Sequence, residues 1–166
     1  FNVTSASTSI SMTDCFNSSY STYLIYASIY NTATDNTFVN LRFLDGNDAV
    51  ITSSRNYSFL YTVGNAAEPT VYTVGEDTAD DDYVRLSVGD DLNSVNTFLI
   101  RMTRWGEAGP EMQIKWECAS ETWTGQKSQN ITGSAWWQTV ADGVNFANNA
   151  GTGMIGNGAV FGVKYD

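Results

Sequence analysis

The chain of 166 residues contains no histidine. That absence excludes Ser-His-Asp and Cys-His nucleophilic machinery, histidine-bearing zinc sites and most proton shuttles near neutral pH. Basic residues are scarce as well: eight Lys and Arg stand against eighteen Asp and Glu, a formal charge of −10. They are scattered, at Arg42, Arg55, Arg85, Arg101, Arg104, Lys115, Lys127 and Lys164. Reading phosphates takes clustered cations that displace counterions, so neither nucleic acid nor an anionic membrane surface is an expected partner. No apolar run approaches the roughly 20 residues that carry a helix across a bilayer, and membrane insertion is not expected. Proline occurs twice, and no capping box precedes an apolar stripe of helical period, so no long helix is expected. Two cysteines, Cys15 and Cys118, permit one disulfide, too few for a stapled scaffold.

What the chain does have is alternation of period two. The run Tyr20 to Tyr30 is dense in aromatic and β-branched residues, with Tyr23, Ile25, Ala27 and Ile29 assigned to the core and Leu24, Tyr26 and Tyr30 opposite. Both faces are apolar, which marks a central strand or one covered by a neighbouring subunit. Strands are also predicted over Ser7 to Met12, Thr37 to Leu44, Ala49 to Ile51, Tyr57 to Val63, Val71 to Val74, Tyr83 to Val88 and Thr97 to Trp105. Met112 to Ala119 alternates most cleanly, with Met112, Ile114, Trp116 and Cys118 on one face and Gln113, Lys115 and Glu117 on the other. Cys118 is therefore read as a core thiol, not a nucleophile. Asp45-Gly46-Asn47 is a turn in which Gly46 is expected to take positive φ. At the C-terminus, glycine-rich turns over 151–158 feed a closing strand with Phe161, Val163 and Tyr165 on one face. The pattern predicts an all-β fold, an antiparallel β-sandwich with jelly-roll-like character and no long helix. Residues 1–166 form a single domain, either free-standing or part of a longer chain, since Phe1 opens it without Met.

Candidate sites are few. Trp136-Trp137 lies between Gly133-Ser134 and Asp142-Gly143. Neighbours on a strand point to opposite faces, so the first reading is one core indole and one at a subunit contact. The competing reading is a carbohydrate platform of Trp136, Trp137 and Trp123, with indoles stacked on a sugar's apolar face and amides taking its hydroxyls. The run Glu76 to Asp82 reads as a solvated acidic loop. Asp80, Asp81 and Asp82 are its lesser, calcium-binding alternative, lacking the ordered spacing of a calcium loop. Gly151-Thr152-Gly153 and Gly156-Asn157-Gly158 lack the lysine and following helix of a phosphate loop, and no cofactor is expected. Four sequons, at Asn2, Asn17, Asn56 and Asn130, are read as chance matches in a chain rich in Asn, Ser and Thr. Two acids flanking a cleft, as in glycoside hydrolysis, are not paired by any motif, and no catalytic residue is assigned.

The layout resembles small β-sandwich domains of bacteriophage tail-fibre, tail-associated and other virion structural proteins, marine phages above all. Three pieces carry the resemblance. Ser5-Ala6-Ser7-Thr8-Ser9-Ile10-Ser11-Met12 leads through Phe16 to Tyr20-Ser21-Thr22-Tyr23-Leu24-Ile25-Tyr26; Leu41-Arg42-Phe43 precedes Asp45-Gly46 and Tyr57; Ile131-Thr132-Gly133 precedes a long loop and the closing Ala159-Val160-Phe161-Gly162-Val163-Lys164. The segment from Glu68 to Trp105 departs most. The resemblance implies a non-enzymatic virion surface component, on a tail or as a capsid decoration. It implies a homotrimer in contact with other virion proteins. Tyr20, Leu24, Tyr26 and Tyr30 are the candidate interface residues. The alternative is a carbohydrate-binding receptor-recognition module for a host surface glycan.

Overall fold

Period-two placement of apolar side chains produces twelve strands among the described residues and no helix. The computed structural model describes the chain except residues 18, 33–36, 53–54, 65–68, 77–82, 88–94, 106–110, 123–126, 139–140, 152 and 165–166. It leaves out also the side chains of strand residues 55–64, 69–76, 104–105, 111, 121–122, 127–129 and 136–138. The strands are β1 (Asn2–Ser7), β2 (Ser9–Met12), β3 (Thr22–Asn31), β4 (Val39–Leu44), β5 (Arg55–Gly64), β6 (Pro69–Glu76), β7 (Val84–Arg85), β8 (Val95–Trp105), β9 (Glu111–Thr122), β10 (Lys127–Gln138), β11 (Gly143–Asn148) and β12 (Met154–Val163). An eight-stranded sheet runs β1-β12-β3-β8-β9-β10-β5-β6, and a four-stranded sheet runs β2-β11-β4-β7. Every pairing is antiparallel.

The two sheets share one apolar core. On the large sheet it takes Tyr23, Ile25, Ala27 and Ile29 of β3, Phe98, Ile100 and Met102 of β8, and Met112, Ile114, Trp116 and Cys118 of β9. From the small sheet come Val39, Leu41 and Phe43 of β4 with Val144 and Phe146 of β11. Phe98 stacks on Phe146 at 6.3 Å between ring centroids, joining the layers. Each fully buried side chain of this size contributes roughly 1.5–3 kcal/mol. The alternation read for β3 and β9 is the alternation found; in β4 Val39, Leu41 and Phe43 enter the core as read, but Asn40 on the opposite side is buried as well.

Other segments differ from the expectation, each for a physical reason. Ser7 to Met12 is not one strand. The chain switches sheets at Thr8, with β1 pairing β12 and β2 pairing β11, and the Ser7 hydroxyl donates to the Ser9 carbonyl at 2.6 Å across the switch. Residues 127–138 and 143–148, placed near a long loop, are strands. All six residues of β11 are buried, so its pattern carries no polar alternation to read. In the Asp45 turn the positive φ falls on Asp48, at 61°, and not on Gly46. The Asp45 carboxylate accepts from the Asn47 and Ala49 amides at 2.8 and 3.0 Å, which fixes the turn.

The terminal strand begins earlier than expected, because Gly156 and Gly158 lie within it and Gly151, at φ 62°, makes the turn. Phe161 and Val163 do share a face, but it is the outer one, and Phe161 is 58% exposed. Tyr165 is outside the described residues. The core face of β12 carries Met154, Gly156, Gly158, Val160 and Gly162, opposite Asn31, Ile29, Ala27, Ile25 and Tyr23. A methyl group at Gly158 would meet the Phe1 ring at 2.5 Å, and one at Gly162 the Tyr20 ring at 2.5 Å. At Gly158 and Gly162 an aromatic ring fills volume a side chain would take, whereas a Cβ at Gly156 would meet the β3 backbone at Ser28.

The link between β2 and β3 is tied down at two points. The amides of Cys15 and Phe16 both donate to the Asp142 carbonyl at 3.0 Å. The Tyr23 hydroxyl donates to the Asn17 carbonyl and accepts from its amide. At the opposite end of the core, where β3 ends at Asn31 and β11 at Asn148, the inner layer turns polar. Asn31, Thr37, Asn96, Ser120 and Asn148 are all buried there, and Asn31 and Asn96 make no hydrogen bond through either side-chain atom.

The tightest ring-over-glycine contact joins β9 to β10. Gly133 pairs with Trp116, and a Cβ at Gly133 would overlap the benzo edge of that buried indole. Gly133→Ala is expected to lower stability by about 2 kcal/mol, the usual cost of overpacking. Urea unfolding monitored by Trp fluorescence measures it, with Ser134→Ala as the control.

Candidate functional site

The outer face of the eight-stranded sheet gathers the apolar residues that the core does not use. Four large apolar side chains are exposed among the described residues: Tyr26 at 45%, Val95 at 40%, Leu99 at 48% and Phe161 at 58%. All four lie on this face. Their arrangement follows from register. One cross-strand row reads Ala159 (β12), Tyr26 (β3), Leu99 (β8), Glu117 (β9), Thr132 (β10). The row beside it reads Phe161, Leu24, Arg101, Lys115, Ser134, and the row on the other side reads Asn157, Ser28, Thr97, Ala119, Asn130. Tyr30 pairs with Ile155 and Val95 further along. The face is thus apolar over β12, β3 and part of β8, and polar over β9 and β10.

At the border between these halves an open groove of about 500 Å³ is cut into the sheet. Its cause is side-chain height. Thr97 and Ala119 are short, and they lie beside the taller Tyr26, Leu99 and Glu117 of the neighbouring row. Asn130 and Thr132 complete the lining from β10. Among the described residues that line the groove, Glu117 is the one carboxylate. No group of three or more His, Cys, Asp or Glu among the described residues is placed to hold a metal.

The candidate residues from the sequence are distributed unevenly. Leu24, Tyr26 and Tyr30 sit together on the outer face of β3. Tyr20 stands apart from them, edge-on to Tyr23 at 5.9 Å and over Gly162. Trp136 and Trp137 lie in β10, paired with Gln113 and Met112 of β9, and their side chains lie outside the described set. Trp123 and the acidic Asp80, Asp81 and Asp82 also fall outside the described residues. The groove residues Thr97, Leu99 and Glu117 were not singled out as a site by sequence, and Asn130 and Thr132 appeared there only as a sequon read as a chance match. The signal was there in part, since Glu117 was assigned to the outer face of its strand.

No protein-family model matches the chain, and no curated protein matches it.

Neither thiol belongs to a reactive site. Neither is in a disulfide; Cys118 is buried on the core face of β9 and Cys15 is half-buried beside β2. Burial pushes the Cys15 thiol up to about 11, against smaller lowering from backbone hydrogen bonds, and its Sγ donates to the Met12 carbonyl at 3.5 Å. A folded-state value above the unfolded one favours the native fold at lower pH, and that contribution fades as pH rises from the free-thiol range through about 11. Native protein at pH 8 is expected to react with a thiol-specific chromogenic disulfide far more slowly than protein in urea, which should titrate two thiols per chain. Fast native labelling would contradict this placement.

Proposed function

We propose that the chain is a non-enzymatic structural domain of a virion surface, in a phage tail fibre, a tail-associated part or a capsid decoration. It assembles with copies of itself through the outer face of its large sheet. The observation that carries this reading is the concentration of exposed apolar side chains on one sheet face. Tyr26, Leu99, Val95 and Phe161 are exposed there, with Leu24, Tyr30 and Ile155 half-buried between them. An apolar surface of this continuity on a sheet whose other side is already packed marks an interaction face. A closed ring, a trimer in the first instance, gives each copy the same contact and leaves no open end.

The rest of the molecule supports the reading without adding chemistry. Antiparallel sheets with a shared core, read as jelly-roll-like, suit a rigid displayed particle component. The charge of −10 keeps such a component off nucleic acid and anionic membranes while it meets other virion proteins. The resemblance in the opening strands, the Leu41-Arg42-Phe43 strand and the closing strand points the same way. A carbohydrate-binding role is favoured by a separate observation, the groove, and is developed below.

Light scattering at micromolar concentration is expected to give a trimer or another closed ring. Phe161→Glu and Leu24→Glu, which place like charges at paired positions on this face, should give a folded monomer with an unchanged far-UV circular dichroism spectrum. A wild-type monomer under these conditions overturns the proposal.

A further inference from the structure

We infer that the groove on the outer face of the large sheet is a binding site for a neutral glycan, held between the Tyr26 ring and the polar side chains of β9 and β10.

The groove combines the two surfaces that a pyranose presents. A sugar ring has an apolar C–H face and a rim of hydroxyls. Tyr26 supplies a ring that stands 45% exposed at one wall, a platform for the C–H face. Across from it Glu117 offers carboxylate acceptors, Asn130 offers both donors and an acceptor, and Thr97 and Thr132 offer hydroxyls. Because these residues sit on adjacent antiparallel strands, their spacing is the strand spacing of about 4.8 Å. Tyr26 to Thr132 spans three such steps, roughly 14 Å, room for a short oligosaccharide lying across the strands. The volume of about 500 Å³ lies within the usual range for small-ligand sites.

Charge decides between ligand classes. Among the described residues that line the groove there is a carboxylate and no cation, Arg101 and Lys115 standing in the row beside it, and the chain carries −10 overall, which disfavours sulfated or phosphorylated chains. A wholly apolar ligand would desolvate Glu117, Asn130 and Thr132 without giving them partners. A neutral polyhydroxylated chain satisfies both halves. Tyr26 and Leu99 belong to both surfaces, so the assembly contact that leaves the groove open is the one centred on Phe161 and Leu24 of β12 and β3, and the polar wall on β9 and β10 belongs to the groove alone.

The test uses the full chain. A glycan array identifies the best neutral oligosaccharide, and titration calorimetry measures it against wild type, Tyr26→Leu, Glu117→Ala and Asn130→Ala. Binding is expected to weaken at least about tenfold in each variant, with thermal unfolding unchanged. Glu117→Ala and Asn130→Ala should also keep the wild-type mass in light scattering. The inference is overturned if no neutral glycan binds at millimolar concentration, or if binding survives all three substitutions. It is equally overturned if only anionic glycans bind and high salt abolishes it, or if hydrogen exchange shows the groove strands protected by a second copy of the chain. Loss of the oligomer with glycan binding intact would refute the assembly reading alone.

Discussion

Steric exclusion between aromatic rings and the backbone of neighbouring strands organises this molecule. Trp116 lies over Gly133, Phe1 against Gly158 and Tyr20 against Gly162. In each case a ring occupies the volume that a side chain on the facing strand would need. Two sheets can share a core of large rings only if some positions give up their Cβ, and glycine in a strand costs backbone entropy for that purpose. The terminal strand shows the result most clearly. Its inner face is mostly glycine, and it is held through rings from elsewhere in the chain and through its ladders to β1 and β3.

That constraint sets the character of the outer face. With glycine, Met154 and Val160 turned to the core, the larger residues of β12, Phe161 and Val163, fall on the outside beside Leu24 and Tyr26. The apolar outer surface is the counterpart of a glycine-rich inner one. Over β9 the division is the reverse, with Met112, Ile114 and Trp116 inside and Gln113, Lys115 and Glu117 outside. One sheet therefore carries two different surfaces side by side, and the groove lies at their seam.

Strands that bury one face were legible in the sequence, because their side chains alternate. Tyr23 to Ile29 and Met112 to Cys118 were assigned to the faces they occupy. Three kinds of element were not legible. A strand buried on both faces, such as β11, has no polar phase. A run that changes sheets, as at Thr8, looks like one strand because alternation does not report the partner. A glycine inside a strand reads as a turn, since the ring that excludes its side chain lies far away in sequence. Phe1 and Gly158 are an example. The groove was hidden for a related reason. Its residues come from four strands, and only the register that places Thr97 and Ala119 next to Leu99 and Glu117 makes a hollow of them.

The polar end of the core follows from the same bookkeeping of faces. Asn31 and Asn96 occupy inner positions on β3 and β8, diagonal to one another, where the alternation would place apolar side chains. A buried amide left without a hydrogen bond costs about 1–3 kcal/mol, so this end of the core is held less firmly than the end packed by Phe16, Tyr23 and Phe43. Just beyond the strand ends there, the Thr32 amide donates to the Gly153 carbonyl and the Asn149 amide to the Phe38 carbonyl, bonds that tie non-strand residues to one another. Local opening should therefore begin at this end and leave the aromatic end closed. The outer groove spans β3, β8, β9 and β10, strands whose inner faces also carry Ile25, Ile100, Trp116 and Ile131. Their ladders keep Tyr26, Glu117 and Thr132 in fixed relation while the polar end breathes.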